Sequence, residues 1–250
     1  FASFLLAGSV MILLTFNRNL AVHATLSDIF KWKFDMQKRI LNIAIPNSIE
    51  QGLFQVSKVV LGSITALFGT SQIAANGVAQ SFWSMSALIG VALGPAFITI
   101  VGQSIGSNDL DAAKYYMAKL LKITYVSSIA WNAFILVLTP FVLRLYQLPD
   151  ETKELIIILV FIHNAFNAGV FPISSPFSNG IRAAGDVRYA MVVSLFATVI
   201  VRVILSYLFG IVLNLGVIGI ALAMGMDWCV RAVLIYIRYL NGKWLSYHVI

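Results

Sequence analysis

The chain has 250 residues, of which 60% are hydrophobic and 11% charged, with a formal net charge of +7 and a mean hydropathy of +0.89. No soluble domain of ordinary composition approaches this combination, so a globular aqueous fold is excluded and an all-α integral membrane protein is expected. The apolar runs are far longer than the ten or so alternating residues of a barrel strand, which excludes a β-barrel.

Taken in order, the apolar runs are 1–16, 43–67, 77–103, 120–146, 154–178, 187–210 and 215–240. A helix needs roughly 20 residues to cross about 30 Å of hydrocarbon. The last six are therefore expected to be complete spans, forming a six-helix transmembrane bundle. The first opens on Phe1 inside FASFLLAGSVMILLTF, with no basic region before it and no cleavage site after it. It reads as the end of a preceding span, not as a signal peptide, and the chain as part of something longer.

Residues 17–42 form a basic, aromatic linker expected to lie along the inner interface as an amphipathic helix. A regulatory lipid-binding role is the alternative for it. Between the later runs, GTSQIAANG, GSNDLDAAK, QLPDETKE, NGIRAAGD and VLNLGVIG read as short connections too small to hold domains. One set of alternate connections carries twelve basic residues, Arg182 and Arg238 among them, and the other only Arg144 and Lys153. That asymmetry places the linker and the C-terminus in the cytoplasm. It makes the positive charge a membrane address and argues against a nucleic-acid surface. Trp32, Trp244 and Tyr247 are expected to anchor at the inner interface.

Charges inside the spans carry the functional argument, because a charged group at membrane depth costs roughly 2.5–3.5 kcal/mol even on lenient scales. They are Glu50, Lys58, Arg202, Asp227 and Arg231. At 1.5 Å per residue, Glu50 and Arg231 lie about 10–14 Å from the inner surface and the other three about 20 Å from it. Asp227 and Arg231, four apart, can pair locally. Glu50 and Lys58, about 12 Å apart along one axis, cannot touch, so Glu50 is expected to take Arg231, water or a bound cation. Asn47, Glu50, Gln51, Phe54 and Lys58 share a polar stripe about 100° wide, as expected of a cavity wall or a polar seam. For Arg202 the expectation is snorkelling or a structural ion pair.

Further candidates sit on two other spans. His163 and Asn167 share a face in IHNAFNAGVFPISSPF, where Pro172 and Pro176 must disturb the helix, a distortion tolerated mainly beside a cavity. His163 suits a proton relay or a buried hydrogen bond. Gln80, Trp83, Ser84 and Met85 offer amide, aromatic, hydroxyl and thioether groups that suit a flat organic cation, or plain packing. Gly90/Gly94 and Gly102/Gly106 permit close helix contact. The lone Cys229 excludes an intrachain disulfide and a C-x-x-C site, and reads as a small buried filler. No Walker loop, H-E-x-x-H or G-x-S-x-G is present, so no enzyme chemistry is expected.

The stretch from Ile45 to Lys114 resembles the opening of the second half of multidrug and toxic compound extrusion (MATE) transporters. The likeness rests on Pro46 followed by Glu50-Gln51, on Gly69 and Ala74-Ala75, and on V-G-Q-x-x-G at Val101, Gly102, Gln103 and Gly106. Asn179 to Asp186 looks like that family's R-G-x-G-D turn, with Ala183 in place of a glycine. The resemblance implies half of a twelve-span transporter: 1–16 as the end of the sixth span, 17–42 as the cytoplasmic interlobe linker, and 43–250 as the six-span C-terminal lobe with its tail. It further implies a secondary antiporter in a bacterial inner membrane, which expels small organic, often cationic, compounds in exchange for Na⁺ or H⁺ by rocking against an N-terminal lobe. No cofactor is implied, and no metal beyond Na⁺ at Glu50. Glu50 is then expected to bind or release the coupling cation, with Na⁺ or substrate competing against a proton. The helix bearing His163 lacks the intramembrane aspartate that some members carry there. Two other readings stand beside antiport: a flippase-like relative for lipid-linked precursors, favoured by a lipid-open, strongly basic cavity, and a structural bundle whose buried charges are clamps.

Overall fold

The computed structural model describes residues 2–16 and 34–246, and their side chains except at 2–4, 39, 42, 43, 46 and 47. Most of the linker, with Trp32, lies outside the described residues, as does Tyr247; so does the side chain of Asn47. Phe1–Ile45 forms one compact unit and Pro46–Ile250 another. The first holds α1 (Ala2–Thr15), whose described side chains are exposed. The site lies wholly in the second.

The fold is all-α. Helix α2 (Phe34–Ala66) is followed by α3 (Thr70–Ser86), α4 (Leu88–Gly106), α5 (Leu110–Leu143) and α6 (Asp150–Gly169). A π-helical turn (Ile173–Phe177) leads into α7 (Ser178–Ala183). The next span is α8 (Val187–Leu195), a π turn (Phe196–Val201), α9 (Arg202–Tyr207) and a second π turn (Leu208–Val212). Helix α10 (Gly216–Leu240) closes the bundle.

Among the described residues, four stretches are long and apolar enough to cross a membrane: Leu88–Gly106, Leu110–Leu143, Val187–Val212 and Gly216–Leu240. The pair Asp150–Gly169 and Ile173–Ala183, bent by 46°, makes a fifth. Helix α2 has the length, at 33 residues, but Glu50, Gln51, Gln55 and Lys58 break its apolarity.

Several boundaries differ from the hydropathy reading. The span expected at 77–103 starts at Thr70, and only Ala87 separates α3 from α4. Residues 70–77 carry Thr70, Ser71 and Gly77 on the face turned away from the core while Ala75 and Ala79 are fully buried, so a hydropathy average misses the two turns they form. The stop falls at Gly69, whose φ of +87° suits glycine. Helix α5 begins ten residues before the expected 120, where Asp109 caps it by accepting from the Ala112 N–H at 2.9 Å. NGIRAAGD is not a loop up to Ala183; the chain turns only at Gly185, φ +102°. The bend at Gly169–Ile173 lies where Pro172 and Pro176 lead a sequence reader to expect a disturbance, since each removes a backbone donor.

Packing falls into layers along the helices. Phe97, Met117, Phe177, Ile181 and Ile235 pack where α4 meets α5, and Ala79, Phe82, Ile135, Ile156 and Val217 pack at the opposite ends. Between them lie Ala87, Phe171, Met224 and Trp228. Ideal β-carbons at Gly90 and Gly94 would stand 2.9 Å from Phe171 Cε1 and 2.8 Å from Asn179 Nδ2, so this pair of glycines lets α4 approach the bent span closely. The second pair does not act this way, because nothing lies within 4 Å of such an atom at Gly106.

Three side chains differ from their expected settings. Trp244 is 1% exposed, stacked on Tyr239 with centroids 5.7 Å apart and donating its indole N–H to the Tyr239 carbonyl at 3.2 Å. It is core, not an interface anchor. Cys229 is partly exposed, not buried filler. Arg238, assigned to the tail by the charge count, pairs with the buried Asp186 at 2.6 Å while lying 4.6 Å over the Tyr189 ring, which ties the last turn of α10 to the start of α8.

Candidate functional site: a polar cavity beside the second helix

Helix α2 and the bundle line a half-open cavity of about 780 Å³. Of the expected polar stripe, Gln51, Phe54 and Lys58 line it, joined by Gln55 one turn on from Gln51. From the bundle, Gln80, Trp83 and Ser84 reach it from α3, His163 from α6, Arg202 from α9, and Trp228 and Arg231 from α10. Met85 does not: it is 51% exposed, and it contributes only its carbonyl, which accepts from the Trp131 indole at 2.8 Å. Asn167 is buried and is not part of the wall.

Glu50 turns away from the stripe. The residue is 6% exposed, and its carboxylate accepts from both terminal nitrogens of Arg182, Nη1 to Oε2 at 2.8 Å and Nη2 to Oε1 at 2.9 Å. This is the fork-on-fork geometry that makes arginine–carboxylate pairs strong. Nη2 also donates to Ser194 Oγ at 3.2 Å, so one guanidinium joins α2, α7 and α8. The expected partner, Arg231, is occupied elsewhere. Arg182 escaped the sequence reading because it was counted with a loop; the α-helix running on to Ala183 gives it a fixed side to face.

One layer deeper, the fully buried Asp227 sits between two arginines. Arg202 Nη2 stands 2.6 Å from Oδ2 and Arg231 Nη2 stands 3.1 Å from Oδ1. Oδ2 nevertheless meets no aligned donor, so the Arg202 contact is a close ion pair and not a directed hydrogen bond. Arg231 also donates to Thr198 Oγ1 at 2.5 Å and lies 5.6 Å over the Phe54 ring. The local Asp227–Arg231 pair matches its i, i+4 spacing, while Arg202 adds a second cation from the π-helical span. A π turn admits an extra residue per turn and re-aims the side chains beyond it, commonly at functional sites; here Thr198 lies in that turn and Arg202 directly after it.

The rest of the wall supplies donors and flat apolar surface. The Nδ1 of His163 and the indole N–H of Trp83 are buried without a hydrogen-bond partner among the described residues. Asn164, the neighbour of His163, instead accepts from Ser86 at 3.0 Å. Trp228 faces Trp83 at 6.1 Å and Phe171 at 5.2 Å between ring centroids. Phe171 and Trp228 escaped the sequence reading because aromatics at helical spacing do not reveal which of them meet. No cluster of His, Cys, Asp and Glu among the described residues has the makings of a metal site.

The MatE family model matches residues 46–208, which include α3 to α9 and most of α2. The chain belongs to the MATE family. It is 24% identical over 245 residues to an uncharacterized transporter, YisQ, of Bacillus subtilis, covering 96% of this chain and 52% of that protein. A probable multidrug resistance protein of the same species, YoeA, is 26% identical over 200 residues, with 80% and 43% covered. Among solved structures, a MATE protein in the straight conformation superposes with a TM-score of 0.82 at 20% identity, over 97% of this chain and 55% of that one. A MOP superfamily transporter from Pyrococcus furiosus, described as having a binding pocket of reverse polarity that suggests a different function, superposes at 0.74 with 21% identity, over 82% and 45%. The chain thus spans about half the length of the relatives it matches, and its fold is that of one MATE lobe.

Proposed function

We propose that this MATE lobe is the carboxy-terminal half of a secondary antiporter that moves organic compounds across a bacterial inner membrane in exchange for Na⁺ or H⁺, its linker and C-terminus in the cytoplasm. The observation that carries the reading is the cavity of about 780 Å³ in which charged and amide side chains are set into a largely apolar, aromatic wall. A bundle held together only by ion-pair clamps has no need of one, and transporters place their sites in such interiors. The multidrug names of the curated relatives support the same class.

Glu50 serves in this reading as a competitor's choice. A proton or Na⁺ arriving at its carboxylate displaces Arg182, and the tie between α2 and α7 opens; loss of the ion restores it. The ligand then biases the lobe because it binds one of the two arrangements better. Everted vesicles carrying the complete gene product, loaded by a Na⁺ or a pH gradient and challenged with organic substrates, test this. Uptake that collapses with the gradient is expected, and Glu50→Gln should uncouple it; unchanged gradient dependence in that variant ends the assignment.

A lipid-linked substrate is the second reading. Among the described residues three cations, Lys58, Arg202 and Arg231, face the cavity and no carboxylate does, and the reverse pocket polarity described for the Pyrococcus furiosus transporter supports this reading.

A further inference from the structure

We propose that the cavity of this lobe binds the anionic head of an amphiphilic organic anion, with Lys58 and Arg231 as its charged contacts and the Trp83–Trp228–Phe171 surface as the bed for its apolar part. The proposal rests on the transporter reading for its purpose and names the substrate class of the same site.

Charge carries the argument. Lys58 is exposed on the cavity wall, and among the described residues no acid lies within ion-pair distance of its ammonium. Arg202 and Arg231 share a single carboxylate, Asp227, which is fully buried behind them. Three cations against one carboxylate leave two positive charges in excess at membrane depth. Among the described residues, the other acid inside the spans, Glu50, lies one layer nearer the inner surface and spends both oxygens on Arg182. Uncompensated charge in a span is costly and persists where a ligand or partner of opposite sign meets it.

Donor inventory points the same way. The Nε–H groups of Arg202 and Arg231 and the indole N–H of Trp83 are buried without acceptors among the described residues. Gln51, Gln55 and Gln80 add side-chain amides on the wall. Such a set is rich in donors and matches carboxylate, sulfonate or phosphate oxygens. On this lobe an organic cation would meet the reverse: aromatic faces that suit it, but among the described residues no carboxylate on the wall to neutralise it and two charges to repel it.

One head chemistry has two sources, a soluble aromatic anion and a lipid phosphate. The test uses the complete gene product in nanodiscs, with fluorescein as the soluble probe, rhodamine 6G as its cationic counterpart, and polyprenyl phosphate doped into the bilayer for the lipid arm. Fluorescein binding that Lys58→Gln weakens about 10-fold, the worth of one charge-assisted contact, and that Lys58→Glu abolishes, supports the proposal with a soluble source. Polyprenyl phosphate retained by the wild type and lost in Lys58→Glu, without fluorescein binding, supports it with a lipid source. Preference for rhodamine 6G, or anion binding indifferent to both substitutions, overturns it. Lys58 makes no ion pair that holds the fold, so its variants report on the site. Because binding is read without a gradient, failure of gradient-driven transport would remove the antiport reading and leave this one standing.

Discussion

Arg182 and Glu50, 132 positions apart in the chain, meet through two parallel hydrogen bonds of 2.8 and 2.9 Å. The pair is largely buried, with side chains 19% and 7% exposed, and it ties α2 to the bundle at one end of the cavity. Removing one partner of a buried pair leaves an uncompensated charge, a loss of about 3–5 kcal/mol, whereas replacing both is far milder. Arg182→Leu should therefore lower the melting temperature in detergent more than Glu50→Gln/Arg182→Leu does. Equal losses would mean that the pair is solvated and not a tie.

Asp227 anchors the second ion cluster, and its loss should be as costly. Asp227→Asn leaves Arg202 and Arg231 facing one another with only Thr198 between them, and the expected destabilisation is again about 3–5 kcal/mol. Thr198→Val removes the hydroxyl that accepts from Arg231 and donates to Asp227 at 3.5 Å, and should cost less, about 1.5–3 kcal/mol. Intrinsic tryptophan fluorescence during thermal unfolding ranks the two; the reverse order would show that Thr198, not the carboxylate, holds the arginines apart.

Spans that are continuously apolar were legible in the sequence whether they face lipid, as Val187–Val212 mostly does, or lie largely buried, as Gly216–Leu240 does: the expected 187–210 and 215–240 differ from these by two residues or fewer at each end. Ends that pack against protein were not. Residues 70–77 and 110–119 are helical but polar enough to look like connections, and their burial depends on neighbours that a window cannot see. The stripe on α2 was legible as a face, since Gln51, Phe54 and Lys58 do share the cavity wall. Which cation Glu50 chooses was not, because a Lys/Arg count treats Arg182 as loop charge while the structure makes it helical. The excess of positive charge at the cavity could be suspected from the basic and acidic residues inside spans, but only the geometry assigns each acid to its partner.

The cap of α5 offers a local check on the early start of that helix. Asp109 Oδ1 accepts from the Ala112 N–H at 2.9 Å, and Asp109→Ala should cost about 1 kcal/mol while Asp109→Asn stays close to wild type. Amide hydrogen exchange at 110–119 reads the same point directly. Protection there is expected, and rapid exchange of these amides would return the helix start to the neighbourhood of 120.

Glycines distinguish the tight bundle from the more loosely held α2. A β-carbon at Gly219 would fall 2.5 Å from the Phe209 carbonyl carbon and 2.6 Å from the Gly210 nitrogen, backbone atoms that cannot swing aside, whereas at Gly94 it would meet the tip of the Asn179 side chain at 2.8 Å, which can. Gly52, on α2, has nothing within 4 Å. Overpacking costs about 1–3 kcal/mol and an unhindered helical Gly→Ala gains up to about 1 kcal/mol. Thermal stability should thus fall in the order Gly52→Ala, wild type, Gly94→Ala, Gly219→Ala. If Gly219→Ala were neutral, α10 would not pack against the turn at Phe209 as closely as the structure has it, and the separation of the cavity's far wall from α2 would have to be redrawn.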